Sequence, residues 1–151
     1  MEKMKMGILG SGGIAHTMAN TVKQMADVEL YAVGARTLEK AQSFAEEFGM
    51  PKAYGSYEEL AADPEMDLVY VATPHSHHYP HMKLLLEHGK NVLCEKALTV
   101  NADQARELFQ MAEEKKLLLT EAIWTRYIPI QKTLNEVIES GAIGKVHSMS
   151  A

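Results

Sequence analysis

The residues of this chain that point most clearly to chemistry form a glycine-rich segment, Gly-Ser-Gly-Gly-Ile-Ala, at positions 10–15. The segment follows an apolar run, Met4–Leu9, and opens a stretch with helical spacing. Its first glycine permits a tight turn, and its second lets the backbone approach a pyrophosphate. Unpaired N–H groups at the start of the next helix favour phosphates, although a plain glycine-rich turn is the structural alternative. The residues predicted to bind a dinucleotide here are Gly10, Ser11, Gly12, Gly13 and Ile14.

A second candidate group follows the apolar residues 28–33. Sites that prefer NAD usually place an Asp or Glu about 20 residues after the glycine turn, where it binds the ribose 2′-hydroxyl. This chain has Arg36 and Thr37 there, and its nearby acids, Asp27 and Glu29, lie at the start of the strand. A guanidinium can pair with a 2′-phosphate, and a threonine adds a hydroxyl. We therefore predict NADP as the coenzyme, with NAD possible; a solvated loop arginine is the alternative.

A histidine-rich segment follows the apolar residues 68–72. His77 and His81 are spaced so that they could share a metal ion on a helix. No carboxylate or cysteine accompanies them, and a zinc site normally has three or four ligands. We therefore predict no metal site. We expect instead a loop that touches the nicotinamide ribose through Thr73, Pro74 and His75.

An acid–lysine pair, Glu95 and Lys96, follows the apolar run Asn91–Cys94. Burial and neighbouring charges can tune a lysine toward proton transfer near neutral pH. The alternative for this pair is an ordinary surface salt bridge. Cys94 itself is predicted to be a small core residue rather than a nucleophile.

Strand-like and helix-like patterns alternate along the chain. The predicted strands are residues 4–9, 28–33, 68–72, 91–94 and 117–120. Their nearly continuous apolar character is typical of strands buried on both faces of a parallel sheet. Between them, apolar residues at helical spacing predict core-facing stripes. These stripes are Ile14, Met18, Val22, Met25; Ala41, Phe44, Ala45, Phe48; and Ala105, Leu108, Phe109, Ala112. The alternation predicts a doubly wound α/β domain with its ligand edge at the carboxyl ends of the strands.

The pattern changes after residue 122. Residues 127–140 predict a helix that is broken early by Pro129, and residues 145–151 predict one more strand. We therefore expect a dinucleotide-binding domain over residues 1–122. Residues 123–151 would be the connecting helix and first strand of a second domain, in the first half of a longer protein.

Composition limits the class of protein. The chain has 151 residues, 46% of them hydrophobic, and a formal net charge of −5. That charge argues against nucleic acid or an acidic membrane as a partner, and no apolar run is long enough to span a bilayer. No signal peptide is predicted, and a lone cysteine provides no disulfide framework. A cytoplasmic protein is the simplest expectation.

The residues named above occur in the order that is found in a known family. The chain resembles the Gfo/Idh/MocA oxidoreductases, relatives of glucose–fructose oxidoreductase and inositol dehydrogenase, over essentially its whole length. Residues 51–60 and 121–126 are similar to the dimeric trans-1,2-dihydrobenzene-1,2-diol dehydrogenase branch. The shared motifs are Gly10-x-Gly12-Gly13-Ile14-Ala15, Ala35-Arg36, Thr73-Pro74-x-x-x-His78 and Glu95-Lys96.

This resemblance implies a Rossmann domain that binds NADP, followed by a second domain with the substrate contacts and a homodimer surface. It implies hydride transfer between nicotinamide and a sugar or small diol, with the proton donor in the second domain. Lys96 would act in catalysis beside the nicotinamide, and His78 would lie near the reacting centre. Glu95, Trp124 and Arg126 would contribute to the cofactor cleft.

Two departures from the family pattern stand out. The family usually has a proline after the Glu-Lys pair, but this chain has Ala97, so we predict a trans Lys96–Ala97 bond and a looser lysine loop. His75 stands where the family often has asparagine.

Two other functions stay open. One is a non-catalytic NAD(P)-binding sensor, which the Glu95-Lys96 pair disfavours. The other is a methyltransferase, which the missing acid after the second strand disfavours.

Overall fold

A computed structural model describes residues 3–150 and shows helices on both faces of a parallel sheet. The strands are β1 Met4–Leu9, β2 Val28–Gly34, β3 Lys52–Tyr54, β4 Leu68–Val71, β5 Asn91–Cys94 and β6 Leu119–Glu121. The helices are α1 Gly13–Val22, α2 Leu38–Phe48, α3 Tyr57–Ala62, α4 His78–Glu87, α5 Ala102–Lys115 and α6 Pro129–Glu139. Short 3₁₀ turns cover His75–His77 and Trp124–Arg126.

The strand order is β3-β2-β1-β4-β5-β6, and every neighbouring pair is parallel. The chain moves outward from β1 to β3, crosses the sheet, and moves outward again from β4 to β6. The winding therefore reverses between β1 and β4, which is where ligands bind in sheets of this kind. The predicted doubly wound parallel sheet is confirmed.

Two clusters of buried apolar residues lie on the two faces of the sheet. One contains residues of α1 and α2, and the other contains residues of α3, α4 and α5. The predicted α2 stripe is confirmed, because all four of its residues are buried. The other two stripes are partly wrong: Ile14, Met25 and Phe109 are exposed. In α1 the small residues Ala15 and Ala19 face the sheet instead, which lets this helix pack closely.

Strand β3 was not among the predicted strands, because its three residues are only half-buried and include a lysine. β2 pairs with it at the outer edge of the sheet. The other strands lie close to their predicted positions, and β1 and β5 have the predicted bounds.

The end of the chain departs from the sequence prediction. Pro129 does not break a helix but begins α6, where its missing N–H and fixed φ suit the first helical position. Residues 145–150 form no strand because no neighbouring strand pairs with them, and residue 151 lies outside the described part. Helix α6 buries none of its residues, and Ile130, Leu134 and Ile138 are exposed on it.

Within residues 3–150, no helix is both long and apolar enough to cross a membrane.

Candidate functional site: a dinucleotide cleft at the switch point

A cleft of about 680 Å³ opens at the carboxyl edge of the sheet, around the turn that follows β1. Its floor is the glycine turn, and its two sides are residues of α2 and residues near the starts of α3 and α4. Of the residues predicted to bind a coenzyme, those that line it are Gly10, Ser11, Gly12, Gly13, Ile14, Arg36, Thr73 and Pro74. Lining residues that the sequence analysis did not assign to the coenzyme include His16, Lys40, Ser43, Glu47, Tyr57, His77 and His81.

Gly10 makes the turn that places this floor. Its φ of +106° is in the region that favours glycine, and its N–H donates to the carbonyl of Gly34 at 2.8 Å. A Cβ at this position would lie 3.0 Å from the carbonyl oxygen of Ala72. The backbone after β1 can therefore pass beside the end of β4 only because this residue has no side chain.

The start of α1 differs from the starts of three other helices. The side chains of Thr37, Ser56 and Asn101 cap α2, α3 and α5 by accepting a backbone N–H. Gly12 is the N-cap of α1, and within the described part of the chain no side chain caps this helix. A Cβ at Gly12 would meet nothing within 4 Å. The first N–H groups of α1 are thus left to a ligand in the cleft, which fits a pyrophosphate.

The α2 side of the cleft carries two cationic side chains, Arg36 and Lys40. Thr37 does not line the cleft; its hydroxyl oxygen accepts the N–H of Lys40 at 3.4 Å as the cap of α2. One acid also lines this side, Glu47, whose carboxylate lies 3.3 Å from Nε2 of His16. Exposed Arg36, and not an acid, occupies the place after β2 where an NAD-preferring site would have a carboxylate.

The opposite side brings together side chains from three elements. His81 Nδ1 lies 2.9 Å from the hydroxyl oxygen of buried Thr73. The ring of Tyr57 meets the His81 ring edge-on at 4.6 Å between centroids, and the His77 ring stacks on it at 5.7 Å. Burial, with the charges of His77 and His78, lowers the pKa of His81 to about 4. This wall depends on contacts between α3 and α4, which sequence spacing alone does not show.

His78 is fully buried and does not reach the cleft. Its Nδ1 lies 2.8 Å from the carbonyl oxygen of Ala97, and its Nε2 lies 2.8 Å from the carbonyl oxygen of Thr73. The imidazole therefore links the turn after β4 to the turn after β5. The segment that carries Lys96 is thereby fixed relative to the coenzyme cleft.

The Glu95–Leu98 segment is held from two further sides. Tyr70 on β4 donates its hydroxyl hydrogen to Glu95, and the N–H of Leu98 donates to Glu121 at the end of β6. Lys96 is exposed at this edge of the sheet. The Lys96–Ala97 bond is cis, so the predicted trans bond is wrong.

The other predicted site residues lie outside the cleft. His75, Trp124 and Arg126 are exposed, and neither they nor Glu95 and Lys96 line it. Among residues 3–150, no three His, Cys, Asp or Glu side chains are grouped as a metal site would require. Cys94 is fully buried, as predicted for a core residue, and burial raises the pKa of its thiol.

A parallel sheet with a glycine turn, an uncapped helix start and a cleft at its switch point defines a dinucleotide-binding Rossmann domain. Residues 4–123 match the profile of the oxidoreductase family with an NAD-binding Rossmann fold, GFO_IDH_MocA. The chain belongs to this family, and the resemblance found in its sequence is confirmed.

Similar proteins share both sequence and fold. The chain is 48% identical to a D-xylose 1-dehydrogenase (NADP(+)) from Hypocrea jecorina over 95% of its length, and 43% identical to a trans-1,2-dihydrobenzene-1,2-diol dehydrogenase from Mus musculus over 93%. It covers only 40% and 43% of those proteins. A 3-ketoreductase from Actinomadura kijaniata, solved with NADP, superposes with a TM-score of 0.87 at 30% identity, covering 95% of this chain and 46% of that one.

Proposed function

We propose that this chain is the coenzyme-binding part of an NADP-dependent dehydrogenase that acts on a sugar or a small diol. The observation that carries this proposal is the cleft itself, where the uncapped start of α1 and Arg36 line one continuous space. The helix start suits a pyrophosphate, and a guanidinium at the end of β2 suits a 2′-phosphate. The NADP-dependent xylose dehydrogenase and the dihydrodiol dehydrogenase relatives support the coenzyme and the substrate class.

Nicotinamide, when bound, supplies hydride transfer, and the protein supplies binding, orientation and proton movement. Gly12, Gly13 and the α1 start would hold the pyrophosphate, and Arg36 would hold the adenosine 2′-phosphate. Lys96, exposed at the end of β5, would help to move the proton between the substrate oxygen and the proton donor that the second domain would supply. His78 does not line the cleft, so its proposed part is to position the segment that carries Lys96.

The division of the chain is part of the same proposal. Residues 1–122 would form the coenzyme domain, and residues 123–151 would begin a second domain that supplies the other wall of the substrate pocket. The exposed apolar side chains of α6 support this, because an amphipathic helix normally buries its apolar face. The chain spans less than half of the relatives it matches, which agrees with a second domain. The homodimer, the cytoplasmic location and contacts from His75, Trp124 and Arg126 stay predictions.

Calorimetry on the 151-residue chain tests the proposal directly. We expect NADPH to bind more tightly than NADH, and we expect S-adenosylmethionine not to displace it. The chain alone should not oxidise sugars or diols, since the proposed second wall and proton donor lie elsewhere. Failure to bind either coenzyme, or displacement by S-adenosylmethionine, would contradict the proposed function.

A further inference from the structure

The cleft wall formed by the starts of α3 and α4 contains a histidine that the proposed function does not use. His81 lies on the first turn of α4 and lines the cleft together with Tyr57 and Arg36. Its Nδ1 is engaged with the Thr73 hydroxyl at 2.9 Å. Within residues 3–150 no hydrogen bond occupies its Nε2. One ring nitrogen is thus anchored to the protein and the other is available to a ligand.

We propose that His81 is a specificity-determining residue for the 2′-phosphorylated coenzyme, and that it takes up a proton from solvent when the adenosine 2′-phosphate enters the cleft. This inference rests on the proposed NADP function and adds a second cationic group, on the other side of the cleft from Arg36. Because His81 is hydrogen-bonded to Thr73, it places Thr73 at the adenosine end of the coenzyme, in place of the nicotinamide-ribose contact expected from the sequence. The ligand it recognises is a phosphate monoester carried by an adenosine ribose.

The anchoring of the ring supports a fixed orientation. Thr73, which is buried, holds Nδ1, while Tyr57 meets the ring edge-on and His77 stacks on it. A ring held on three sides loses little conformational entropy when a ligand binds, so little of its binding free energy is offset by that loss. Tyr57 also connects the two sides electrostatically, because the charge of Arg36 acts on its hydroxyl.

The charges around His81 favour a neutral ring until an anion arrives. The groups that face it are Tyr57 and Glu58 on α3, His77 on the preceding turn and His78 on its own helix. Burial, His77 and His78 lower its pKa and only Glu58 raises it, with the result near 4. A phosphate dianion nearby favours the charged imidazolium and raises this pKa. By linkage, the contribution of His81 to NADP binding then grows as the pH falls toward the bound-state pKa, and it is small at pH 8.

The 2′-phosphate itself titrates near pH 6, so NADP binding depends on pH even without His81. A variant that lacks the titrating imidazole separates the contribution of His81 from that of the phosphate. His81→Asn retains a polar group near the Thr73 hydroxyl but cannot titrate in this range. His88→Asn is the matched control, since His88 is exposed at the far end of α4 and its ring forms a hydrogen bond with the carbonyl of Leu84, outside the cleft. Near-ultraviolet circular dichroism and thermal unfolding would show that both variants keep the native fold.

Proton NMR of the histidine rings gives the direct readout. We expect the pKa of His81 to rise by about two units with NADP⁺, the rise that the binding effect below requires, and by less with NAD⁺, which lacks the 2′-phosphate. In calorimetry at pH 5.5, we expect His81→Asn to weaken NADP⁺ binding by about threefold to tenfold, with little loss at pH 8. His88→Asn should behave as the unsubstituted chain at both pH values.

The outcomes separate this inference from the function on which it rests. If NADP⁺ binds but the His81 titration does not move, or if His81→Asn weakens NADP⁺ and NAD⁺ equally at both pH values, His81 is not a specificity residue. The proposed function would stand in that case. If the unsubstituted chain binds no NADP⁺ at all, the proposed function is wrong, and the assignment of His81 is wrong with it.

Discussion

The hydroxyl of Tyr70 donates a hydrogen bond to Oε1 of Glu95 across 2.5 Å. Tyr70 is 1% exposed in the middle of the sheet, and Glu95 stands at the end of the neighbouring strand. The second carboxylate oxygen accepts the N–H of Lys96 at 3.2 Å. Burial, and then the hydrogen bond to Glu95, raises the pKa of Tyr70. A neutral tyrosine within the core thereby holds the carboxylate that precedes the proposed catalytic lysine.

Tyr70→Phe removes this donor but keeps the ring in the core. We expect a loss of about 1.5–3 kcal/mol of unfolding free energy at pH 7, the range for a hydrogen bond to a charged group. Because the folded-state pKa of Tyr70 lies above its unfolded value, its contribution is full below about pH 10 and is lost as the pH rises through the folded value. Urea unfolding at pH 7 and pH 11 would measure both effects.

Tyr79→Phe is the matched control for this experiment. The Tyr79 hydroxyl also donates to a carboxylate, that of Glu107, but the pair lies at the surface. We expect a much smaller loss of unfolding free energy there, because solvent screens an exposed pair. Equal losses in the two variants, or an unchanged alkaline sensitivity in Tyr70→Phe, would show that the buried bond has no special part in stability.

Most strands of the sheet could be predicted from the sequence, because strands that are buried on both faces appear as apolar runs. Residues 4–9 and 91–94 have the predicted bounds for this reason. β3 escaped prediction because it lies at the sheet edge, where half-burial leaves no apolar run. The prediction for α1 chose the wrong face of the helix. The residues that pack on the sheet include the small Ala15 and Ala19, whereas Ile14 is exposed and lines the cleft.

The sequence could predict that the glycine turn and Arg36 lie in one cleft, because a local motif fixes their positions at the ends of β1 and β2. His81 and Tyr57 could not, since their position in the cleft depends on α3 packing beside α4. For His78, the family resemblance implied a place near the reacting centre. The structure shows a buried ring whose two nitrogens each lie 2.8 Å from a carbonyl oxygen, a setting that sequence spacing alone does not show.

Two glycines of the turn after β1 should respond differently to alanine. Gly10→Ala introduces a side chain at a φ of +106° and against the carbonyl of Ala72, so we expect at least about 1–3 kcal/mol of destabilisation. Gly12→Ala meets no atom of the protein within 4 Å, so we expect near-normal stability. Its methyl group would stand where the pyrophosphate approaches, and NADPH binding should fall by tenfold or more, on the order of 1.4 kcal/mol.

Thermal unfolding and calorimetry on both variants check this contrast. Native stability with weak NADPH binding in Gly12→Ala supports a cleft that receives the coenzyme at this turn. If Gly12→Ala binds NADPH as tightly as the unsubstituted chain, the pyrophosphate does not lie against this glycine.

Asp63 makes the protein sensitive to acid. Its side chain is 1% exposed and accepts hydrogen bonds from Tyr54, Lys52 and the N–H of Glu65. Burial alone would raise the pKa of this carboxyl, but these hydrogen bonds outweigh burial and lower it. A lowered folded-state pKa means that its stabilisation is present above the unfolded pKa, near 3.9, and is lost as the pH falls through the folded value.

Asp63→Asn keeps an acceptor for Glu65 but removes the charge. We expect it to cost about 1–3 kcal/mol at pH 7, and we expect the difference from the unsubstituted chain to shrink between about pH 4 and pH 2. Urea unfolding across this range measures it. Asp103→Asn, at an exposed pair with Arg106, is the control and should change little. A difference that stays constant down to pH 2 would contradict the assignment of acid sensitivity to Asp63.

Arg36 decides the choice of coenzyme in the proposed function. It is exposed on the α2 side of the cleft, at the place where an NAD-preferring site would have an acid. If its guanidinium pairs with the 2′-phosphate, Arg36→Ala should weaken NADPH binding by about 1.5–3 kcal/mol, or roughly tenfold to a hundredfold. NADH lacks this phosphate, so its affinity should change far less.

Calorimetry with both coenzymes at low and high salt completes this test. The NADPH loss should be larger at low ionic strength, because an exposed ion pair is screened by salt. Arg106→Ala is the matched control: this arginine is exposed, pairs with Asp103 on α5 and lies outside the cleft, so neither affinity should change. Equal losses for NADPH and NADH in Arg36→Ala would show that this arginine contacts a part shared by both coenzymes, and the 2′-phosphate would then have to be recognised by other residues.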